Sequence, residues 1–536
     1  RANLKQKGYS FKSECDTEVI IAAYQFYGDK FVNYLVGMWS IVIYDKTNDR
    51  ILISRDRMGI KPLYYYLDND IFIFASEIKS IKFYLNNRIT LNKEAFQRYI
   101  TRGWIDFENQ SIFNKINSFK EGSINIFKSN QLKEEIFWTL PIPNSEYVDY
   151  KIWKEKFIKI TGEHLQSDNE VATTLSGGLD SSAIHYAIRE NKLLNKVHAF
   201  SIGSKFGLKE KELIDLTIND LKINHEYISF EDIKYDQVID EILDFYDEPI
   251  KHANYIDQFI FRRKISEKGF KVMLVGEGAD EILSGYEKMY PIYIADLLKN
   301  DLISDIEQIY FNAAKMMNIS ISTVKNLVNL FIKNKTGSFD KFENNLGYVI
   351  LNLDKKEADN KLNFSKKFNN LENLKFGKFI FQEIMYRVYY DVTLTLKNED
   401  RSAMSQSMES RPPFLDHRIL ETSWKYPYNY FMKEGKNKSI LRNSFKNILP
   451  SWILNNPKKF HRPSDINDIV YNKLKENFIK IFESDLYLDN DLWNKNLKNI
   501  YLDDNSNNKK ENSHIWLRFY MMNIFFKKND YLLSSY

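Results

Sequence analysis

The chain has 536 residues, of which 43% are hydrophobic and 28% charged, and its formal net charge is +4. That length exceeds one ordinary core and predicts two or three domains, while near-balanced charge without a long basic tract gives no argument for a polyanion as the main partner. The single cysteine, Cys15, excludes an intramolecular disulfide framework and any cluster of cysteine metal ligands.

The first part reads as short strands with turns. Trp39–Tyr44 and Arg50–Ser54 are β-rich runs separated by the polar turn Asp45–Asp49, and Ile71–Phe74 follows the turn signal Asp68-Asn-Asp70. The pattern breaks around Leu140-Pro-Ile-Pro-Asn-Ser145, the best linker in the chain, which predicts domains at 1–140 and 141–536. An amphipathic stretch, Lys151–His164, opens the second region. Strand runs at Val171–Leu175, Val197–Ile202 and Lys271–Val275 then alternate with helical stretches such as Asp180–Glu190, the signature of a doubly wound parallel sheet. From about Ala295 the chain is mostly helical, with a loop expected at Asp503–Asn512. The fold class is therefore α+β followed by α/β with a helical C-terminal part. No run is long and apolar enough to span a bilayer, and no apolar signal region opens the chain, so a soluble, cytoplasmic protein without a membrane partner is expected.

Leu175 ends a strand run, Ser176-Gly177-Gly178-Leu179-Asp180-Ser181-Ser182 follows, and a helix begins. Glycines there let the backbone approach an anion, and the helix adds its positive end. Ser176, Ser181 and Ser182 supply hydroxyl donors, and Asp180 makes sense beside an anion if it holds Mg²⁺. The chain has no G-x-x-x-x-G-K-[ST] loop, so the device suits a leaving pyrophosphate and implies that ATP is split to AMP. A second cluster, Leu274–Tyr286, again follows a buried strand and is expected at the same sheet edge. There Asp280 could share Mg²⁺ with Asp180, and Glu277, between two glycines, is placed to approach a reacting group. The bland alternatives are a plain glycine-rich turn and a helix cap with solvated acids.

On these residues the chain resembles the glutamine-hydrolysing asparagine synthetases. Asp16–Val19, Arg55–Tyr65, Phe74–Lys79, Leu175–Ser182, Phe200–Gly203, Asp247–Pro249, Gly276–Glu281, Asp400–Met404, Glu409–Asp416 and Lys438–Arg442 carry the resemblance in order. It implies a glutaminase domain of the Ntn-hydrolase type, lacking its first part, and a synthetase domain of the PP-loop ATP pyrophosphatase type. In that family ammonia from glutamine travels through a tunnel and displaces AMP from an adenylated aspartate side chain. By resemblance Leu175, Ile202, Val275 and Gly276 contact the nucleotide, Asp180 and Asp280 hold Mg²⁺, and Glu277 and Lys438 are catalytic. Asp16 pairs with the α-amino group of glutamine. For Lys438 the residues alone favour a solvated lysine in a run with Lys433 and Lys436. Arg55, Asp56 and Arg57 read as structural ion pairs. The resemblance also implies a homodimer.

Several features depart from the family. The sequence begins downstream of the family's N-terminal nucleophilic Cys, for which Cys15 is no substitute, so the chain as written is not expected to hydrolyse glutamine although the full-length protein is. Ser204–Glu210 replaces an expected acidic pair, Asn456 stands for an expected Arg, and Lys459–Pro463 is bulkier than usual. These changes leave open a second acceptor, such as a sugar uronate of a surface-polysaccharide precursor. A β-lactam-synthetase or peptide-cyclase role, a nucleotide-binding protein without catalysis, and nucleic-acid modification are weaker readings. The retained glutaminase signatures, the intact Asp180, Asp280, Glu277 and Lys438, and the lack of a basic or zinc-binding appendage count against them in turn.

Overall fold

The computed structural model describes residues 1–143, 146, 149–203, 208–230, 233–300, 306–334, 346–351, 353, 374, 377–456, 466–488, 492–506 and 512–535. They form two compact units, residues 1–84 with 115–140, and residues 85–114 with 141–536.

The first unit is built on antiparallel pairing. Strands β1 (Ser40–Asp45), β2 (Arg50–Arg55), β6 (Ser123–Lys128) and β7 (Gln131–Ile136) form one sheet in that order, and β3 (Tyr64–Asp68) lies between β4 (Ile71–Ala75) and β5 (Ile116–Ser118) in another. The turn Asp45–Asp49 sets the β1–β2 register, Ser40 opposite Arg55 and Asp45 opposite Arg50. Leu52, Ile41, Phe31, Ala22 and Ala23 pack in one core. Arg55, Asp56 and Arg57 are structural, as expected, but they serve the backbone. Buried Asp56 accepts N–H bonds from Trp39, Met58, Ile60 and Lys61 at 3.0–3.2 Å. Arg55 donates to the carbonyls of Gly59, Lys61 and Phe119, and Arg57 to that of Leu35. Three adjacent charges thereby satisfy a run of turn groups that would otherwise be buried without partners.

The second unit holds a five-stranded parallel sheet in the order β10-β9-β8-β11-β12. Its strands are β8 (Val171–Thr174), β9 (Val197–Ile202), β10 (Asn224–Ile228), β11 (Val272–Leu274) and β12 (Glu409–Arg411). Val171, Ala172 and Thr173 are fully buried, as central parallel strands must be when helices cover both faces. Chain order reverses between β8 and β11, which makes that pair the topological switch point, where such sheets open a crevice at their carboxyl ends. Helix Leu179–Glu190 follows β8. Beyond β11 the described chain is helical apart from β12, in keeping with the sequence pattern. One expectation fails in part: Asp503–Ser506 belong to helix Leu497–Ser506 rather than to a loop. Tyr501 on that helix is buried against Trp516 and Phe482, and Asp504 takes the Trp516 indole N–H, so apolar and polar anchors hold the turn despite its Asn-rich composition. Lys459–Pro463 and Ser204–Gly207 lie outside the described residues. Among the described residues no helix is long and apolar enough to cross a membrane.

Candidate active site

Leu175 leaves β8 with its amide bonded to the Phe200 carbonyl of β9, and the loop that follows closes on itself. Ser181 Oγ lies 3.1 Å from the Ser176 amide and 3.0 Å from Ser176 Oγ. Gly177 sits at φ +65, and a Cβ there would stand 3.2 Å from the Glu210 carbonyl oxygen and the Leu213 Cβ. A side chain is therefore disfavoured by conformation and by space. Ser182 is fully buried, and its hydroxyl has no hydrogen-bond partner among the described residues. Of the three hydroxyls expected as donors, that one is fully buried and Ser181 Oγ is engaged within the loop.

Beneath the loop lies a residue the sequence gave no reason to single out. His185 is fully buried, with Nδ1 2.7 Å from the Ser181 carbonyl and Nε2 2.8 Å from Thr173 Oγ1. It ties the first turn of the helix to β8. Burial pushes its pKa down to about 4, so the ring is neutral, with Nδ1–H donating to the Ser181 carbonyl and Nε2 left to accept from Thr173.

Across the switch point Val275 continues β11, its amide bonded to the Arg411 carbonyl. Gly276 lies close under the loop, where a Cβ would be 3.6 Å from that of Asp180. Glu277 is half-buried, Gly278 turns the chain at φ +89, and Asp280 opens helix Ala279–Ile282. Ile202 ends β9, so the positions expected around the nucleotide fall at the carboxyl ends of three neighbouring strands.

Lys438, 258 residues on from Asp180, joins them. Its ammonium lies 2.5 Å from Asp180 Oδ2 and 2.6 Å from Asp280 Oδ1. The residue is 5% exposed, which disposes of the solvated-lysine reading. Burial alone would lower its pKa, but the two carboxylates outweigh burial and raise it, so the group is held charged. Its backbone is left-handed at φ +51, a costly conformation for a side-chain-bearing residue and one found at functional sites. Neighbouring contacts hold it there. Asn437 donates to the Gly285 carbonyl, and Arg442 donates to the Asn437 and Leu454 carbonyls. Gly285 is indispensable in a way that spacing could not reveal: a Cβ there would fall 2.0 Å from Asp280 Oδ1 and 2.2 Å from Lys438 Cε.

Two carboxylates converging on one cation are hard oxygen donors, the set Mg²⁺ accepts when phosphates and water complete its shell. Asp180 and Asp280 fit that ion. Among the described residues no group of three or more His, Cys, Asp or Glu converges as a metal cage.

The segment carrying Glu277 also forms one wall of a cavity of about 600 Å³, which Trp104, Lys251, Tyr286, Arg387 and Asp391 help to line. In the first unit Asp16, exposed, begins helix Asp16–Tyr27 just after exposed Cys15. No described contact links Asp16 to a pocket.

The sequence matches a family described as asparagine synthase over residues 153–527 and one described as a glutamine amidotransferase domain over residues 1–138. A putative asparagine synthetase (glutamine-hydrolyzing) 2 of Methanocaldococcus jannaschii is 33% identical over 55% of this chain and 59% of its own length. Asparagine synthetase (glutamine-hydrolyzing) 1 of Bacillus subtilis is 28% identical over 95% of this chain and 81% of its own. An amidase, chry2, of Gibberella zeae is 23% identical over 84% and 73%. The chain thus spans under two thirds of the first of these relatives and four fifths of the second.

Proposed function

This chain belongs to the asparagine synthase family, and we propose that it adenylates the side-chain carboxylate of aspartate with ATP and converts the adenylate to asparagine with ammonia derived from glutamine. The observation that carries the reading is the Lys438 ammonium held between Asp180 and Asp280 at the sheet's switch point.

The chemistry follows from the arrangement. A carboxylate oxygen attacks the α-phosphorus, the bond to the bridging oxygen breaks, and pyrophosphate leaves with the electron pair. Backbone amides of Gly177–Asp180 and the amino end of helix Leu179–Glu190 receive the pyrophosphate. The nucleotide sits against Leu175, Ile202, Val275 and Gly276. Charge grows on the phosphate oxygens as the bond lengthens, and a buried, fixed ammonium such as Lys438 stabilises it more than a solvated one would. Asp180 and Asp280 would hold Mg²⁺, which, when bound, offsets the polyphosphate charge and makes pyrophosphate a better leaving group. Ammonia then attacks the acyl carbon, AMP departs, and the extra proton on nitrogen goes to Glu277, a half-buried carboxylate in the strand-edge turn. Asp16 would bind the glutamine α-amino group in the amidotransferase part.

The test is ATP–pyrophosphate exchange with aspartate as the stimulating acid, followed by asparagine formation with ammonium. Exchange dependent on aspartate is expected. Exchange with a nucleotide-linked uronate and none with aspartate would overturn the choice of acceptor.

A further inference from the structure

The peptide that joins β8 to the phosphate loop is held at both of its polar atoms. On one side the Ser176 amide donates to Ser181 Oγ at 3.1 Å. On the other the Leu175 carbonyl accepts from Ser201 Oγ at 2.5 Å. A peptide is planar, so fixing its N–H and its C=O fixes the direction in which the chain enters Gly177 and Gly178. The first bond is made within the loop. The second crosses from β9, between a serine 3% exposed and a leucine 2% exposed, so it is made away from solvent.

Ser201 does not act alone. His225 of β10 lies with Nε2 2.8 Å from the same hydroxyl. In the parallel register His225 stands opposite Ala199 and Tyr227 opposite Ser201, so these side chains share one face of the sheet. A serine hydroxyl has a single proton, and the Leu175 carbonyl takes it. The imidazole must therefore donate, with its proton on Nε2. Burial pushes the His225 pKa down to about 4 and keeps the ring neutral. The ring is also set in place from the side. Tyr227 meets it edge-on with centroids 4.5 Å apart, and the Tyr227 hydroxyl donates to Asp215 at 2.8 Å. Asp215 belongs to helix Leu208–Leu221, the same helix whose Leu213 backs Gly177.

We propose that Ser201 and His225 are positioning residues for the nucleotide loop. A relay from His225 Nε2–H through the Ser201 hydroxyl to the Leu175 carbonyl holds the Leu175–Ser176 peptide, so that the amides of Gly177–Asp180 converge on the pyrophosphate. The inference rests on the reading of this loop as the pyrophosphate seat and adds what fixes it from behind. Successive N–H groups bind an anion only while they point together, and a rotation of the peptide at the root of the loop turns them apart. The pair therefore acts on the phosphates and not on the nucleoside.

The experiment is calorimetric titration with Mg²⁺-ATP, Mg²⁺-pyrophosphate and AMP, on the unaltered chain and on Ser201→Ala, His225→Leu and His225→Gln. Ser201→Ala and His225→Leu should weaken ATP and pyrophosphate about 5- to 50-fold, the span of one buried hydrogen bond left unmade, and leave AMP within about threefold. His225→Gln should restore most of the affinity, because its amide nitrogen reaches nearly as far as Nε2 and still donates. A role in folding alone would lower the bound fraction for all three ligands together, and that outcome overturns the proposal. Equal losses in His225→Leu and His225→Gln would remove His225 from the relay. If the unaltered chain binds pyrophosphate but Ser201→Ala and His225→Leu keep its affinity within about threefold, the proposal falls while the reading of the loop stands. Should His225→Leu fail to fold, Ser201→Ala, which deletes one oxygen, decides the matter. ATP bound no more tightly than AMP by the unaltered chain would sink the reading of the loop itself, and the relay with it.

Discussion

The phosphate edge and the cavity beside it share the Glu277–Tyr286 turn, yet they are built by opposite means. The edge uses a glycine at φ +65, one helix end, and a lysine locked between two acids. Those elements come mostly from two short runs, Leu175–Ser182 and Val275–Gly285. The cavity uses long charged and aromatic side chains from segments near residues 104, 251–258, 277–288, 386–395 and 514–518. On the proposed function the first arrangement serves the reaction, while the second lines a cavity of about 600 Å³. If the proposed function holds, changes at the edge should act chiefly on kcat.

The sharpest way to break that division is Lys438→Met. If Lys438 stabilises the phosphate charge as proposed, removing its buried charge should lower the exchange kcat by about 10² to 10³ or more, with the KM for aspartate within a few-fold. A large rise in aspartate KM instead would mean that Lys438 binds the acceptor. Gly285→Ala comes next. Its methyl group would overlap Asp280 Oδ1 and Lys438 Cε, and a displacement near 1 Å at such a site costs about 10²-fold in rate. The expected result is a folded protein with unchanged Tm to within a few degrees and a loss confined to kcat. Unaltered kcat would show that the Asp–Lys–Asp contact is not needed for the chemistry.

The same contrast explains what the sequence could reveal. The strand, turn and helix around Ser176–Ser182 are legible because contiguous residues form them, with glycines between an apolar run and a helical one. The parallel strands Val171–Leu175 and Val197–Ile202 were legible for the same reason, as apolar runs of strand length. Strands β3, β6, β7 and β10 lacked such a mark: β7, Gln-Leu-Lys-Glu-Glu-Ile, is mostly polar and earns its place by pairing with β6 alone. Lys438 was visible only through family resemblance, because its surroundings in sequence are basic while its surroundings in space are acidic. Gly285 is hidden inside the Leu274–Tyr286 cluster and Asn437 stands just before the Lys438–Arg442 motif, since their work is to leave room and to hold a loop. The cavity had no local signature at all. The one feature that could have hinted at it, the charges Arg387 and Asp391 within an otherwise apolar helical stretch, reads equally well as an i,i+4 ion pair.

The smallest effect concerns how each region is anchored, and here the two differ in sign. His185 fastens the loop to β8, and Asp296 fastens the cavity helix by accepting the Phe379 and Ile380 amides at 3.1 and 2.7 Å. Burial moves both pKa values, His185 from 6.5 down to about 4 and Asp296 from 3.8 up to about 7. Between pH 4 and 6.5 the unfolded chain carries a proton on His185 that the folded one lacks, so this group makes stability rise with pH. Across nearly the same window the folded chain keeps a proton on Asp296 that the unfolded one has lost, so that group makes stability fall. Each contributes a slope of about 1.4 kcal/mol per pH unit, and in the intact chain the two oppose each other. His185→Gln should therefore tilt the stability curve downward with pH relative to the parent between about pH 4 and 6.5, and Asp296→Asn should tilt it upward over about pH 4 to 7. Urea unfolding at pH 4.5, 5.5 and 6.5 measures both. Parallel curves for either variant would show that its group titrates alike in the folded and unfolded chain, and that its anchoring bond is made in both charge states.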